Sequence, residues 1–294
     1  MRLPRRGGSG DVIDRRGSGS GGGMGIPLGI GGGGLGIGSV ILIVAFMLLS
    51  RCATGGGSSG FDIGSPQFPG AAPSSGDSQV SSPSDEPGKF VEDVMADAQD
   101  RWTALFSGTG EEYQRAKIVL FSGSTNSACG FASSSTGPFY CPADQLVYID
   151  LSFFQELHDR FGAPGDFAQA YVIAHEVGHH VQTLTGQSQK VRQESQRNPD
   201  DANELSVRLE LQADCYAGVW GNSAAARGFL DPGDLEEALA AAAAIGDDRI
   251  QRESGSKVDQ DTWTHGSSEQ RQHWFKAGFD SGDPNQCDTF SGDI

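Results

Sequence analysis

Five stretches of the chain repeat apolar residues at the three- and four-residue spacing of an amphipathic helix: residues 89–108, 152–161, 170–186, 204–220 and 235–250. Gly186 can end the third stretch, and Asp231 with Pro232 supplies a cap and a first helical residue before the fifth. Residues 187–203 are polar and show no apolar period, which predicts a loop or a frayed helix.

Two shorter stretches have the pattern of β-strands. They are residues 117–121 (KIVLF) and residues 145–151 (QLVYIDL), and in the second the aliphatic side chains occupy alternate positions. Because helical stretches outnumber strands, the pattern predicts an α+β fold that is mainly helical and contains a small sheet.

The N-terminal third of the chain has a different pattern. Residues 1–23 contain five arginines and no apolar period, which predicts a disordered tail. Residues 24–52 carry no charge before Arg51 and become solidly apolar at 40–49, which predicts a transmembrane signal anchor. The arginines before this segment favour a cytoplasmic N-terminus, and the rest of the chain is then outside the cytoplasm.

Two alternatives to the anchor remain open at this point. A cleaved signal peptide is disfavoured by the long N-terminal arm and by the lack of a clean small-x-small site. A lipid-modified Cys52 is disfavoured because Arg51 stands where a small residue is expected.

Residues 53–88 are rich in Gly, Ser and Pro and predict a flexible linker. A linker of this length holds the following domain, residues 89–294, at an average of about 30–35 Å from the membrane.

The charge of the 294-residue chain is strongly acidic, with a net value of −17. Residues 1–51 carry six arginines against two aspartates, so the remaining residues carry −21, the difference between −17 and +4. Such a domain is a poor partner for nucleic acid or for anionic lipid headgroups. Solubility is the plainer explanation of the acidity. The length allows one medium-sized domain with accessory segments.

Within the third helical stretch, His175-Glu176-Val177-Gly178-His179 forms an H-E-x-x-H motif. Residues four apart share one face of a helix, so His175 and His179 can bind one metal ion through their imidazole nitrogens. Glu176 lies one residue further round, where it can take a proton from a water molecule at the metal.

A third ligand is required, because a catalytic zinc usually has three protein ligands and one open position. Glu210 and Asp214 are again four residues apart on a predicted helix. Glu210 can complete the zinc site, while Asp214 can accept the free N–H of His175 and fix the orientation of that ring. Taken alone, these two carboxylates are typical of a solvated helix face.

These residues resemble those of the gluzincin metallopeptidases, in which H-E-x-x-H is followed by E-x-x-A-D or E-x-x-x-D. The segments AHEVGHHVQ, ELQADCYAG and THGSSEQR are similar to those of a bacterial family of membrane-anchored neutral zinc metallopeptidases, over residues 89–287. The resemblance implies a zincin-like fold, one Zn²⁺ ion and peptide or protein substrates. It also implies that an edge strand beside the active helix pairs with the extended substrate, and either predicted strand is a candidate.

The last motif is THGSSEQR, in which Ser267 and Gln270 form a capping box for a helix through Phe279. In related gluzincins, a His-Pro pair in this region is followed by Arg six residues after the His. His265 and Arg271 keep that spacing, although Gly266 replaces the Pro. By this resemblance, His265 or Arg271 is expected to stabilise the oxyanion of a tetrahedral intermediate. His158 and His273 are predicted to be structural, while His180 is predicted either to pack in the core or to support a metal ligand.

Four cysteines follow the membrane segment, and an even number outside the cytoplasm suggests two disulfides. Three pairings are possible in principle. We favour Cys129–Cys141, which closes a loop with little else to order it, together with Cys215–Cys287. Buried thiols remain an alternative, and a cysteine metal site is disfavoured because no C-x-x-C spacing occurs.

The sequence therefore predicts a membrane-anchored, extracytoplasmic zinc metallopeptidase with Glu176 as general base. Two other classes of function remain open. One is a binding or chaperone-like module in which zinc is structural, which the presence of Glu176 disfavours. The other is a metallohydrolase acting on a non-peptide bond. The sequence does not indicate the substrate, the oligomeric state or whether cleavage is internal or terminal.

Overall fold

The computed structural model describes residues 1–17, 83–159, 162–163 and 165–294. The predicted membrane segment 24–52 and most of the linker 53–88 lie outside these ranges, so both stay predictions. Among the described residues, no helix combines the length and apolar character that a membrane span requires.

The described strands form two sheets. Their bounds are β1 Val12–Asp14, β2 Lys117–Phe121, β3 Ser124–Ser127, β4 Gly130–Ser133, β5 Phe139–Cys141 and β6 Leu146–Asp150. The larger sheet has the order β1-β2-β6-β5, with β5 antiparallel to β6 and the other pairs parallel. Strands β3 and β4 form a separate antiparallel hairpin.

Most of the described helices share one core cluster with the side chains on one face of this sheet. Their bounds are α1 Glu86–Ser107, α2 Ser152–Asp159, α3 Asp166–Leu184, α4 Gln187–Arg197, α5 Ala202–Ala226, α6 Asp234–Ala244, α7 Asp247–Glu253 and α8 Ser268–Ser281. The prediction of a mainly helical α+β fold is confirmed. Helix α3 is central, and it packs against α1, α5 and α6 in one large core cluster.

Two of the helical predictions need correction. Of the loop and the frayed helix predicted for residues 187–203, the loop is wrong: residues 187–197 form the regular helix α4, whose Val191 and Ser195 are buried on one side. The stretch 235–250 is not one helix, because the chain breaks at Ile245 and Gly246 between α6 and α7. A Cβ on Gly246 would lie 2.4 Å from the backbone nitrogen of Ser268, so the break lets two chain segments touch.

Helices α5 and α8 approach closely because both present a glycine at the contact. A Cβ on Gly218 would lie 2.1 Å from the Phe275 carbonyl oxygen, and a Cβ on Gly278 would lie 1.9 Å from that of Cys215.

Both predicted disulfides are present. Cys215–Cys287 ties the C-terminal segment to α5, and Cys129–Cys141 ties the β3–β4 turn to β5.

The strand at the edge of the larger sheet beside α3 is β5. Both strands predicted from the sequence, β2 and β6, have neighbours on each side among the described strands, so neither is an edge strand. The Tyr140 hydroxyl of β5 lies 3.1 Å from Nδ1 of His180 on α3. The expectation that β2 or β6 is the edge strand beside α3 is therefore wrong, and β5 has that position.

The prediction of disorder is wrong for residues 1–17, which form an ordered arm on the domain. Val12 and Ile13 of β1 pair with Ile118 and Val119 of β2 and are 1% and 5% exposed. The α-amino group of Met1 lies 2.7 Å from both carboxylate oxygens of Asp166 at the start of α3. The arm has too few apolar residues to show a period, so its order depends on the surface that it contacts.

Candidate metal centre

The two histidines of the motif lie side by side on α3. The ring centroids of His175 and His179 are 4.7 Å apart, with planes at 88°. Helix α3 is held in place because Tyr171, Val177 and Val181 are buried in the core on its other faces. The imidazoles are mostly shielded from solvent, with 7% and 16% of their side chains exposed.

Glu210 of α5 meets this pair across the helix contact. Its carboxylate oxygens lie 3.2 Å from Nε2 of His175 and 3.4 Å from Nε2 of His179. The ligand atoms of the three residues all lie within 4.8 Å of one another. Gly178 makes this approach possible, because a Cβ there would lie 3.0 Å from the Ala213 carbonyl oxygen of α5.

The second nitrogen of each imidazole is held by a different acceptor. Nδ1 of His175 lies 2.8 Å from Asp214, and Nδ1 of His179 lies 2.9 Å from Oε1 of Gln182. If each Nδ1 carries the proton, both Nε2 lone pairs face Glu210 and are available to a metal. Gln182 was missed by the sequence reasoning, although its position three residues after His179 on one helix could have indicated it.

Asp214 lies at the centre of a buried hydrogen-bond network. It accepts hydrogen bonds from the Tyr171 hydroxyl at 2.5 Å and from Nε and Nη2 of Arg271 at 2.8 and 2.9 Å. Burial by itself would raise the pKa of Asp214, but the charges of Arg271 and His175 hold this pKa below its usual value. Asp214 is therefore an anionic acceptor that orients His175.

The placement of Arg271 does not agree with the expected oxyanion role. The side chain is 2% exposed, and two of its nitrogens donate to Asp214 behind His175. A guanidinium enclosed in this way stabilises Asp214, the carboxylate that holds His175. The sequence showed the spacing from His265 to Arg271 but not the direction of the side chain.

Replacing Arg271 with glutamine should lower the free energy of unfolding by about 3–5 kcal/mol, because Asp214 would lose the partner of its buried charge. Chemical denaturation of the full chain measures this change. Lys276→Gln on the same helix is the control, since it removes an exposed pair with Asp280 and should cost no more than about 1 kcal/mol. Equal effects of the two substitutions would contradict the assigned role of Arg271.

Glu176 follows His175 on α3 and is 7% exposed. Burial raises the pKa of its carboxyl group above the usual value, although the charges of His179 and His175 oppose this rise. A carboxylate with a raised pKa is a stronger base, as proton transfer from water requires.

His265 lies on the loop between α7 and α8, and hydrogen bonds to the Asp247 carboxylate hold this loop in place. The Asp247 carboxylate accepts hydrogen bonds from the backbone N–H groups of Thr264, His265 and Gly266 at 2.8, 2.6 and 3.1 Å. Nδ1 of His265 lies 3.3 Å from the same carboxylate. Burial lowers the pKa of His265, but the Asp247 hydrogen bond and the negative charge of Glu210 outweigh it and raise this pKa.

Asp247 was missed by the sequence reasoning, because no local spacing connects it to His265. Gly266 also explains the departure from the His-Pro pair of related gluzincins. Its φ is 88°, a value that proline cannot adopt.

The remaining histidines lie outside this cluster. His158 is paired with Asp159 at the surface, and His273 contacts Trp274. Nε2 of His180 lies 2.6 Å from the Gln114 carbonyl oxygen. The other ring nitrogen contacts the Tyr140 hydroxyl, and this contact links β5 to α3.

Two imidazoles and one carboxylate on two helices are a donor set that fits Zn²⁺. In the described part of the chain, a second group with metal-ligand spacing is Asp166, Asp234 and Glu237. Two of these carboxylates already pair with the Met1 amino group. The H-E-x-x-H cluster is therefore the better candidate for a metal centre.

Comparison with known proteins agrees with this assignment. A family model described as "Putative neutral zinc metallopeptidase" matches residues 1–290. An uncharacterized protein, YpfJ, of Escherichia coli (strain K12) is 56% identical over 216 residues, which are 73% of this chain and 75% of that protein. An uncharacterized protein, Rv2575, of Mycobacterium tuberculosis is 49% identical over 201 residues, 65% of this chain and 66% of that protein. No solved structure matches the chain with significance.

Proposed function

We propose that this chain, which belongs to the neutral zinc metallopeptidase family, hydrolyses peptide bonds with zinc held by His175, His179 and Glu210. The observation that supports the proposal most directly is the convergence of these three ligand atoms within 4.8 Å, from two helices, with Glu176 beside them. Three protein ligands leave a position for water, as hydrolysis requires.

The chemistry of the zinc would be that of a Lewis acid, which polarises the scissile carbonyl and makes water easier to deprotonate. Glu176 accepts the proton of the attacking water and delivers it to the leaving amine. Asp214 and Gln182 hold the two imidazoles through Nδ1, so that neither ring has to reorient during turnover.

The substrate would lie along β5. This strand is at the sheet edge beside α3, so an extended peptide can add to it through main-chain hydrogen bonds. The Cys129–Cys141 disulfide and the Tyr140–His180 contact hold β5 in place. Strand β5 thus takes the role for which β2 and β6 were the candidates.

His265 is the remaining group that we assign to the reaction. Asp247 orients the ring through Nδ1, and the negative charge of Glu210 helps to raise the pKa of the imidazole. A protonated imidazole there can donate to the oxyanion that forms on the substrate carbonyl.

Replacing His265 with alanine should lower kcat by about 10²–10³-fold, as removal of one oxyanion donor does, and leave zinc content unchanged. Steady-state kinetics with a peptide substrate and metal analysis of the same preparation measure both effects. His273→Ala, on the surface of α8, is the matched control and should keep full activity. A wild-type kcat in His265→Ala would remove this residue from the mechanism.

Two other classes of function are tested by the same assay. A peptide library should be cleaved by the full chain, the cleavage should stop with a chelator, and zinc should restore it. A zinc-containing binding module would hold the metal without cleaving any peptide. A metallohydrolase for another bond would hydrolyse ester or amide model compounds and leave the peptides intact.

The two disulfides are consistent with a location outside the cytoplasm, where thiols are oxidised. Membrane attachment through residues 24–52 stays a prediction, because those residues lie outside the described ranges.

A further inference from the structure

The N-terminal arm, residues 1–17, carries arginines that form ion pairs with an acidic face of α1. Arg5 pairs with Glu86, and Arg6 pairs with Asp97 and Asp100. The carboxylates on this face follow one another at helical spacing, so they repel one another along the helix. Three carboxylates of α1 are nevertheless buried: Glu92 at 1%, Asp93 at 5% and Asp97 at 0% exposure.

The arm also binds this face through its backbone. The N–H groups of Gly8 and Ser9 donate to Oε1 of Glu92 at 3.0 and 3.1 Å, and that of Arg6 donates to Asp93 at 2.6 Å. Hydrogen bonds to buried carboxylates fix the path of the arm, because an unsatisfied buried charge is costly.

Strand β1 makes the arm part of the hydrophobic core. Val12 packs into the large core cluster on one face of the sheet, and Ile13 packs into a second cluster on the other face. Both faces of β1 are therefore covered, although the strand lies at the edge of the sheet. Asp11, just before β1, accepts hydrogen bonds from Nε and Nη2 of Arg115, just before β2, at 3.2 and 2.6 Å. The start of β1 is therefore also bound to the domain.

The arm then returns to the start of the helical domain. Nη1 and Nη2 of Arg16 each lie 2.7 Å from a carboxylate oxygen of Asp85, two residues after the described chain resumes at Pro83. A single bilayer crossing between these two residues would separate them by the hydrocarbon core, which is about 30 Å thick. The contact and a single crossing are mutually exclusive.

We propose that residues 1–17 and residues 83–294 lie on the same side of the membrane, and that the arm is the first strand of the domain. The proposal replaces the expectation of a cytoplasmic N-terminus opposite an extracytoplasmic domain. It rests on contacts between described residues and is independent of the peptidase activity.

Two single-cysteine reporters in the full chain test the side of the membrane. Gly7→Cys places a thiol on the arm at an exposed position where a Cβ meets nothing within 4 Å. Ala104→Cys places one on the exposed side of α1. Both are made with Cys52→Ser, because the other four cysteines form the two disulfides. Spheroplasts are treated with a membrane-impermeant maleimide before and after permeabilisation.

The expected result is that both reporters react in the same condition, either both before permeabilisation or both only after it. The proposal is overturned if Ala104→Cys reacts with intact spheroplasts and Gly7→Cys reacts only after permeabilisation, or the reverse.

A charge exchange tests whether the arm is bound to the domain in the full chain. Asp11→Arg and Arg115→Asp each break the pair and should lower the unfolding temperature by at least about 2–4 °C. The double variant restores opposite charges and should recover part of that loss. If the two losses simply add, the arm does not occupy this position and the proposal is wrong.

Discussion

Glu176→Gln is expected to lower kcat/KM for peptide hydrolysis by about 10²–10⁴-fold, the usual contribution of a general acid–base group. Glutamine keeps the size and the hydrogen-bonding capacity of the side chain but cannot accept the proton of water. Since Glu176 is not one of the three clustered ligands, zinc content should remain at the wild-type level. The measurement pairs steady-state kinetics with metal analysis of the same preparation.

The matched control is Glu156→Gln on α2, which changes an exposed carboxylate and should keep full activity. Wild-type turnover in Glu176→Gln would show that another group takes the proton. A loss of zinc together with activity would show that Glu176 supports the metal instead of the reaction.

Glu210→Ala is expected to have the larger effect on the metal itself. Two imidazoles four residues apart would remain, and a catalytic zinc normally requires three protein ligands. Loss of an outer partner of a ligand typically lowers metal affinity by about 10–100-fold, and loss of the ligand should exceed that. Zinc competition against a chelator, measured on the full chain, gives the change in affinity, and peptide cleavage should fall with it.

Glu204→Ala on the same helix is the control, because this carboxylate is exposed and pairs with Arg208. Both variants remove one negative charge from α5, so a difference between them reports on the site. Equal zinc affinity in Glu210→Ala and Glu204→Ala would mean that the convergence of Glu210 with the imidazoles has no function in metal binding.

The ligand cluster was accessible from the sequence because its spacing is local. His175 and His179 share a helix face whatever the rest of the fold does, and the same holds for Glu210 and Asp214. That the two helices meet depends on Gly178 and Ala213, whose small size permits the approach. The sequence therefore indicated the partners, while the distance between them depends on packing.

The residues that hold the site side chains in place could not be predicted from local spacing. Asp247 and Arg271 lie on different elements from the side chains that they hold, and both act through contacts that no periodic pattern records. Strand β5 is only three residues long, Phe139–Cys141, which is too short for an alternation to be recognised. Its position at the sheet edge is a property of the whole sheet.

The sequence by itself determined the mainly helical α+β class, the capping box before α8 and, within each of two helices, the pair of residues that contributes to the candidate metal centre. Each of these follows from the spacing or the chemistry of residues within one segment. Only the tertiary structure decided that β5 is the edge strand, that Arg271 supports Asp214, and that residues 1–17 are a strand of the domain. The arm is ordered by the acidic face of α1 and by the open edge of β2, and such contacts between distant segments leave no trace in the local pattern.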